Sequence, residues 1–198
     1  MPAWILAGLI ALAGLLGPVT AEAGYRGPFE GRVVDAETLQ PIQGAVVFVE
    51  WMRSHITVAG DVPKFYDAAE VLTDETGHFR IKKKWSLNPW TNWMLGANVV
   101  IYKAGYREFH LYDKWGRMDE LVEEHRAYSL KKGQRVPNDV DWQLEYEDGR
   151  ALVLLKKITT AKDVVKNLPF VGADVPEAKM KLLEEERTRE LKAFGLED

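Results

Sequence analysis

The sequence contains no cysteine. That excludes a disulfide framework, a thiolate metal site, a cysteine nucleophile and lipid attachment through an N-terminal cysteine, and it leaves packing to supply stability. No Asn-x-Ser/Thr acceptor occurs either, so an exported chain of this composition fits a bacterial periplasm better than a eukaryotic secretory route. Histidine is confined to His55, His78, His110 and His125, with no HExxH and no paired spacing. His55 and Asp67 flank one segment, but polar loop residues of this kind are more often solvated or satisfy a turn than ligate a metal. Serine is scarce, and neither a Gly-x-Ser-x-Gly elbow nor a glycine-rich phosphate loop is present. The carboxylates gather as Glu123-Glu124 and Glu184-Glu185-Glu186, runs that read as solvated helix faces. No set of residues in complementary roles supports catalysis, and no cofactor or metal is expected. There is no long Lys/Arg block, the formal net charge is −4 and the pI is about 5.7, so nucleic acid is not an expected partner.

With 198 residues, 46% of them hydrophobic and 28% charged, the chain can bury one core and carry a small appendage. Residues 3–16 form an apolar run, followed by Gly17-Pro18 and by Ala21-Glu22-Ala23, a small-x-small pattern. Residues 1–23 read as a secretory signal peptide cut after Ala23, although no Lys or Arg precedes the run. The alternative is an uncleaved anchor, but the run is shorter than a span of about 20 residues. Export to a bacterial periplasm or the extracellular space is expected, with no transmembrane span after cleavage.

Residues 29–51 read as a hairpin, two strands joined by a turn. Gly31, Val33 and Asp35 share one face of the first strand, while Glu30 and Arg32 face water. The second strand, with Ala45, Val47, Val49 and Trp51 on one face, is apolar on nearly both, the pattern of a strand covered from two sides. Asp35, Pro41 and Gly44 supply the turn between them. Residues 52–67 lose the alternation and read as an inserted loop, with the aromatic pair Phe65-Tyr66 either folding over the core or forming a stacking surface. Asp74-Glu75-Thr76-Gly77 reads as a tight hairpin turn into a strand over 78–85 with Phe79 and Ile81 inward. Strands follow over 97–103 and 107–112, then a long connection over 113–139 containing a short helix. Residues 142–158 suggest a hairpin about Asp148-Gly149. A helix capped by Thr159 or Thr160 is expected, then an amphipathic one with Met180, Leu183, Leu191 and Phe194 as its apolar stripe. Glu184, Glu185, Arg189 and Lys192 form its polar face, and the stripe is expected to dock on the β-domain.

Four groups of residues then align in order: Gly31-x-Val33-x-Asp35, Pro41-Ile42-x-Gly44-Ala45-x-Val47-x-Val49, Thr73-Asp74-x-x-Gly77-x-Phe79-x-Ile81 and Val99-x-Ile101-x-x-x-Gly105-Tyr106. Together they resemble the carboxypeptidase regulatory-like domain over residues 29–157. The resemblance implies a mainly β fold, a Greek-key, transthyretin-like (prealbumin-like) β-sandwich of about seven strands, with an α-helical C-terminal tail added. Domains are expected at 24–158 for the sandwich and 159–198 for the helical extension. The family module is non-catalytic and occurs in exported proteins, and related sandwiches bind carbohydrate.

The expected function is therefore that of a non-enzymatic, exported accessory or binding protein whose partner is an envelope protein or polysaccharide. A second reading is carbohydrate binding through Trp85, Trp90 and Trp93 with Asn88 and Asn92, because indole faces pack on sugar rings while amides satisfy hydroxyls. The same tryptophans could instead plug one end of the core. A metal-dependent hydrolase is the third choice.

Overall fold

The computed structural model describes residues 25–57, 60–85, 94–113, 143–147, 150–169 and 171–196. In chain order these form β1 (Tyr25–Arg26), β2 (Phe29–Asp35), β3 (Val46–Thr57), β4 (Gly60–Leu72), β5 (His78–Ile81), β6 (Lys84–Trp85), β7 (Met94–Tyr102), β8 (Phe109–Asp113), β9 (Gln143–Glu147) and β10 (Arg150–Leu155). Helix α1 (Ala161–Lys166), a 3-10 turn (Glu177–Lys179) and helix α2 (Lys181–Ala193) follow. One four-stranded sheet has the order β5-β2-β10-β9, a second has β4-β3-β7-β8, and β1 pairs with β6. Among the described pairings β2 and β10 run parallel, with Gly31 opposite Ala151, and the others are antiparallel.

Period-two alternation turns one face of each sheet toward the other. Phe29, Val33, Phe79, Ile81, Val153 and Leu155 from the first sheet meet Val47, Val49, Trp51, Val99, Ile101 and Leu111 from the second in one core. The fold is a mainly β sandwich. Strand β3 lies inside its sheet, and its second apolar face, Val46 and Phe48, is buried as well. Its double-sided hydrophobicity therefore has the meaning expected of it.

The expected pairing of the first two strands is wrong, since β2 and β3 belong to different sheets. Both are apolar toward the same core, and alternation reports the face a strand buries, not the neighbour it bonds. The turn chemistry is nonetheless correct. Asp35 Oδ1 accepts the N–H groups of Glu37 and Thr38, each at 2.9 Å, and Gly44 has φ +70°. The Asp74–Gly77 turn likewise changes sheets instead of closing a hairpin. Asp74 Oδ1 accepts the N–H groups of Thr76 and His78, while Gly77 at φ +77° lies so close to β2 that an added Cβ would be 2.4 Å from the Val33 carbonyl oxygen. Gly77→Ala is expected to cost about 2 to 3 kcal/mol from left-handed strain and that collision, read as a lower midpoint in urea unfolding; an unchanged midpoint would refute this account.

Residues 52–67 are not a loop. Strands β3 and β4 continue as a ribbon paired from Val46↔Leu72 to Thr57↔Gly60, with a register shift between Trp51 and Met52. Beyond Arg53↔Met94 no described strand continues along the other side of β3, so among the described residues the outer part of the arm is a two-stranded ribbon. Backbone pairing maintains the strands there, helped by the Arg53 guanidinium lying 3.3 Å from the centre of the Tyr66 ring. Phe65 and Tyr66 pack on opposite faces, one toward the helix side and one toward the core. The expected strand over 78–85 is divided into β5 and β6, and most of 113–139 lies outside the described residues. The hairpin of β9 and β10 forms as expected, with Arg150 opposite Glu147.

Thr160 caps α1, its hydroxyl accepting the Asp163 N–H at 3.2 Å. Helix α2 docks on the outer face of the second sheet, where Leu183 and Val175 close over Val46, Phe48, Ala68, Val100 and Tyr102. Glu70 of β4 serves as its N-terminal cap from outside the helix, accepting the N–H groups of Leu182 and Leu183 at 2.8 and 3.2 Å. The run Glu184-Glu185-Glu186 is not wholly a surface face, because Glu186 is buried, and Glu190 one turn on is 0% exposed. Glu186 accepts the Ala104 N–H at 3.0 Å and pairs with Lys103 at 3.3 Å and with Arg189. Glu190 accepts the Gly105 N–H at 3.0 Å and the Tyr102 hydroxyl. Burial, then the hydrogen bond to Glu190, pushes the Tyr102 phenol far above its ordinary range.

Candidate functional site

Of the five residues expected to contact sugar, Trp85 has a described backbone, paired through β6 with Tyr25 of β1. Its side chain, together with Asn88, Trp90, Asn92 and Trp93, lies outside the described residues. The His55 and Asp67 pair does not assemble. Asp67 stands opposite Trp51 and His55 opposite Val62, well apart along the ribbon, because the intervening residues are extended instead of looped back. Asp67 is held by Lys179 at 2.8 Å and by Lys84. Burial works to raise its pKa, but the two lysines and the Ala68 N–H outweigh that and lower it. His78 is exposed. His110 is half-buried: its Nε2 has no hydrogen-bond partner among the described residues, and burial lowers its pKa against the opposing charge of Glu50. Among the described residues no three of His, Cys, Asp and Glu are grouped so as to hold a metal ion.

The buried carboxylates organise backbone. Asp35 accepts Glu37 and Thr38 N–H groups and also takes the Tyr106 hydroxyl at 3.0 Å and Lys157 at 3.2 Å. It thereby ties the end of β2 to the turn after β7 and the segment after β10. The Thr38 N–H leads the interactions that hold its pKa well below the carboxylate range, against the effect of burial. A depressed folded-state pKa contributes stability above the unfolded value of 3.8 and loses it as pH falls toward the folded value. The wild type is therefore expected to lose stability relative to Asp35→Asn between about pH 4 and pH 2. Parallel pH dependence of the two unfolding free energies across that window would exclude the assignment.

A different surface offers concavity lined by both apolar and charged groups. Between β4, the edge of one sheet, and β5, the edge of the other, lies a groove of about 450 Å³ lined by Val71, Leu72, Phe79 and Gly31 and by Glu30, Asp74, His78, Arg80 and Arg150. It starts beside the Asp74–Gly77 turn, and farther along the same two chain segments Lys84 crosses to Asp67. Gly31 is required where β2, β5 and β10 converge, since a Cβ there would be 2.5 Å from the Ala151 carbonyl oxygen and 3.2 Å from the Phe79 ring. Asp74 is occupied in its turn, and Arg80 meets Glu30 at 3.4 Å as an exposed pair of small energetic value. The Arg150 guanidinium has no acceptor among the described residues, and Leu72 beside it is 49% exposed. This site is not legible in the sequence, because its components come from β2, β4, β5 and β10, each ordinary in its own strand.

No helix among the described residues is long and apolar enough to cross a membrane. Compared with known proteins, the chain matches no protein-family profile and no curated protein. Among solved structures it is similar to the pilus adhesin RrgA of Streptococcus pneumoniae, with a TM-score of 0.38 and 16% identity over 68% of this chain. The chain spans about 15% of that adhesin's length, and a likeness at this level carries neither fold detail nor function.

Proposed function

We propose that the chain is a non-catalytic, exported binding or accessory protein of the bacterial envelope, built on a Greek-key sandwich of the transthyretin-like, carboxypeptidase regulatory-like type. The observation that carries this reading is the contrast between two sets of polar groups. The buried acids Asp35, Glu186 and Glu190 accept hydrogen bonds that hold turns and helix in place, whereas the cations on the groove between β4 and β5 face solvent above an apolar lining. An arrangement of that kind suits recognition, because it presents complementary surface without positioning a reactive pair. The order and spacing of the four motifs support the family reading, and the apolar run ending in Ala21-Glu22-Ala23 supports export. The test is in-cell cross-linking of the tagged full chain followed by fractionation of periplasm and membranes. A stoichiometric envelope partner is expected; a chain that stays in the cytoplasm, or an exported chain that remains monomeric and uncrosslinked, would defeat the proposal.

A further inference from the structure

We propose that the base of the arm formed by β3 and β4 binds a carboxylate, with Arg53 and Lys64 as its cations and the Trp51 indole N–H as a further donor. The site is separate from the groove between β4 and β5, and it deepens the binding reading above by naming a ligand class. Arg53 stands directly opposite Lys64 in the ladder, and residues paired in this way point to the same face with their Cβ atoms about 5 Å apart. That face is the core side, because Trp51 and Tyr66 both pack in the main core and the Arg53 guanidinium lies 3.3 Å from the centre of the Tyr66 ring. Register shifts between Trp51 and Met52 and between Met52 and Arg53 leave Tyr66 and Leu95 out of their ladders at this level, and irregularities of that kind re-aim the side chains beside them.

Two features of this place are unfavourable in the protein by itself. Like charges directly opposite one another destabilise a ladder, and among the described residues neither Arg53 nor Lys64 meets a carboxylate. Asp67, the acid opposite Trp51, is taken by Lys84 and by Lys179 at 2.8 Å. The second feature is a pair of idle donors. Trp51 is 2% exposed and its Nε1 has no acceptor among the described residues, and the Nε of half-buried Arg53 is closed to water and likewise without one. Buried donors in that state are rare. A single anion answers both features, placing negative charge between the two cations and an oxygen before each N–H. A carboxylate suits the site better than a spherical anion, because a guanidinium presents its Nε–H and a neighbouring Nη–H in parallel, matched to the two oxygens of a planar carboxylate. Lys64 is exposed, so the ligand reaches the pair from the solvent side of the arm.

The test titrates isotope-labelled full chain with sodium propionate, sodium glucuronate and glucose, and follows the Arg53 Nε–H resonance and the Trp51 indole N–H, identified by its loss in Trp51→Phe. Both carboxylates are expected to shift the two resonances, and neutral glucose to leave them in place. Tighter binding of glucuronate puts the carboxylate on a sugar, and binding no tighter than propionate makes it a free small acid. Arg53→Gln should weaken binding roughly tenfold, while Lys82→Gln, which removes an exposed cation elsewhere, should leave the titration unchanged. Lys64→Glu supplies the carboxylate from within: it should abolish binding and unfold in urea at or above the wild-type midpoint, because an opposite-charge pair replaces a like-charge one. Unmoved resonances with both carboxylates, equal shifts with glucose, or wild-type binding or a lowered midpoint in Lys64→Glu would overturn the proposal. Its failure is separable from failure of the accessory reading. An envelope partner cross-linked equally by wild type and Lys64→Glu would remove this site and leave that reading standing, whereas carboxylate binding without an envelope partner would do the opposite.

Discussion

A chain ending at Pro169 is expected to lose most of its cooperative stability and to aggregate on expression. The missing segment covers Val46, Phe48, Val100 and Tyr102 on the outer face of the second sheet, all 1% exposed or less in the intact protein. Returning each such side chain to water forfeits about 1.5 to 3 kcal/mol, and an ordinary domain has only about 5 to 15 kcal/mol in total. The truncation also strips acceptors from Tyr102, Ala104 and Gly105. Dye binding to exposed apolar surface together with urea unfolding measures the effect, and a truncated chain with an unaltered midpoint and no dye binding would show that α2 is dispensable.

The second large effect is expected from one acid. Glu190→Ala leaves the buried Tyr102 hydroxyl and the partly buried Gly105 N–H without their acceptor, and an unsatisfied buried donor costs about 1 to 3 kcal/mol. A loss of about 3 kcal/mol follows. The control is Glu185→Ala: Glu185 is exposed on the solvent side of the same helix, and its removal should change stability by less than about 0.5 kcal/mol. Tyr102→Phe should fall between the two, and a double-mutant cycle with Glu190→Ala should show coupling, since the two residues share one hydrogen bond. Equal stability of the Glu190 and Glu185 variants would mean that the helix is held by its apolar contacts alone.

Much of the fold is legible in the sequence because burial leaves a periodic mark. Alternation alone turns Val47, Val49, Phe79, Ile81, Val99 and Ile101 inward, and all are in the core. The turn residues Asp35, Gly44, Asp74 and Gly77 are legible through their own backbone chemistry. Strand partners are not, since a side chain facing the core says nothing about which sheet holds it, and so β2 and β3 read as a hairpin. The arm over residues 52–67 reads as a loop because its strands are held by backbone pairing and its side chains do not follow the apolar alternation that marks the other strands. Glu190 shows a different difficulty. It stands seven residues after Leu183, two helical turns along the same face, yet its charge assigns it to solvent. Its partners are a backbone N–H and a phenol from the end of β7 and the turn after it, which no local pattern announces. The groove is invisible for the related reason that its cations and apolar lining meet only when four strands are assembled.

The parallel pairing of Gly31 with Ala151 bears on how the chain reaches this structure. Strand β2 is made early and β10 is the last strand of the sandwich to follow it, so the centre of one sheet stays incomplete until nearly the whole domain is available. Closing so long a stretch is entropically costly before any contact rewards it, which places folding in the slow regime of about milliseconds to seconds. During synthesis β3, β4 and β7 can pair while β2 still lacks its second neighbour. The unsatisfied flank of β2 is then the surface on which a chaperone or a neighbouring nascent chain competes with β10.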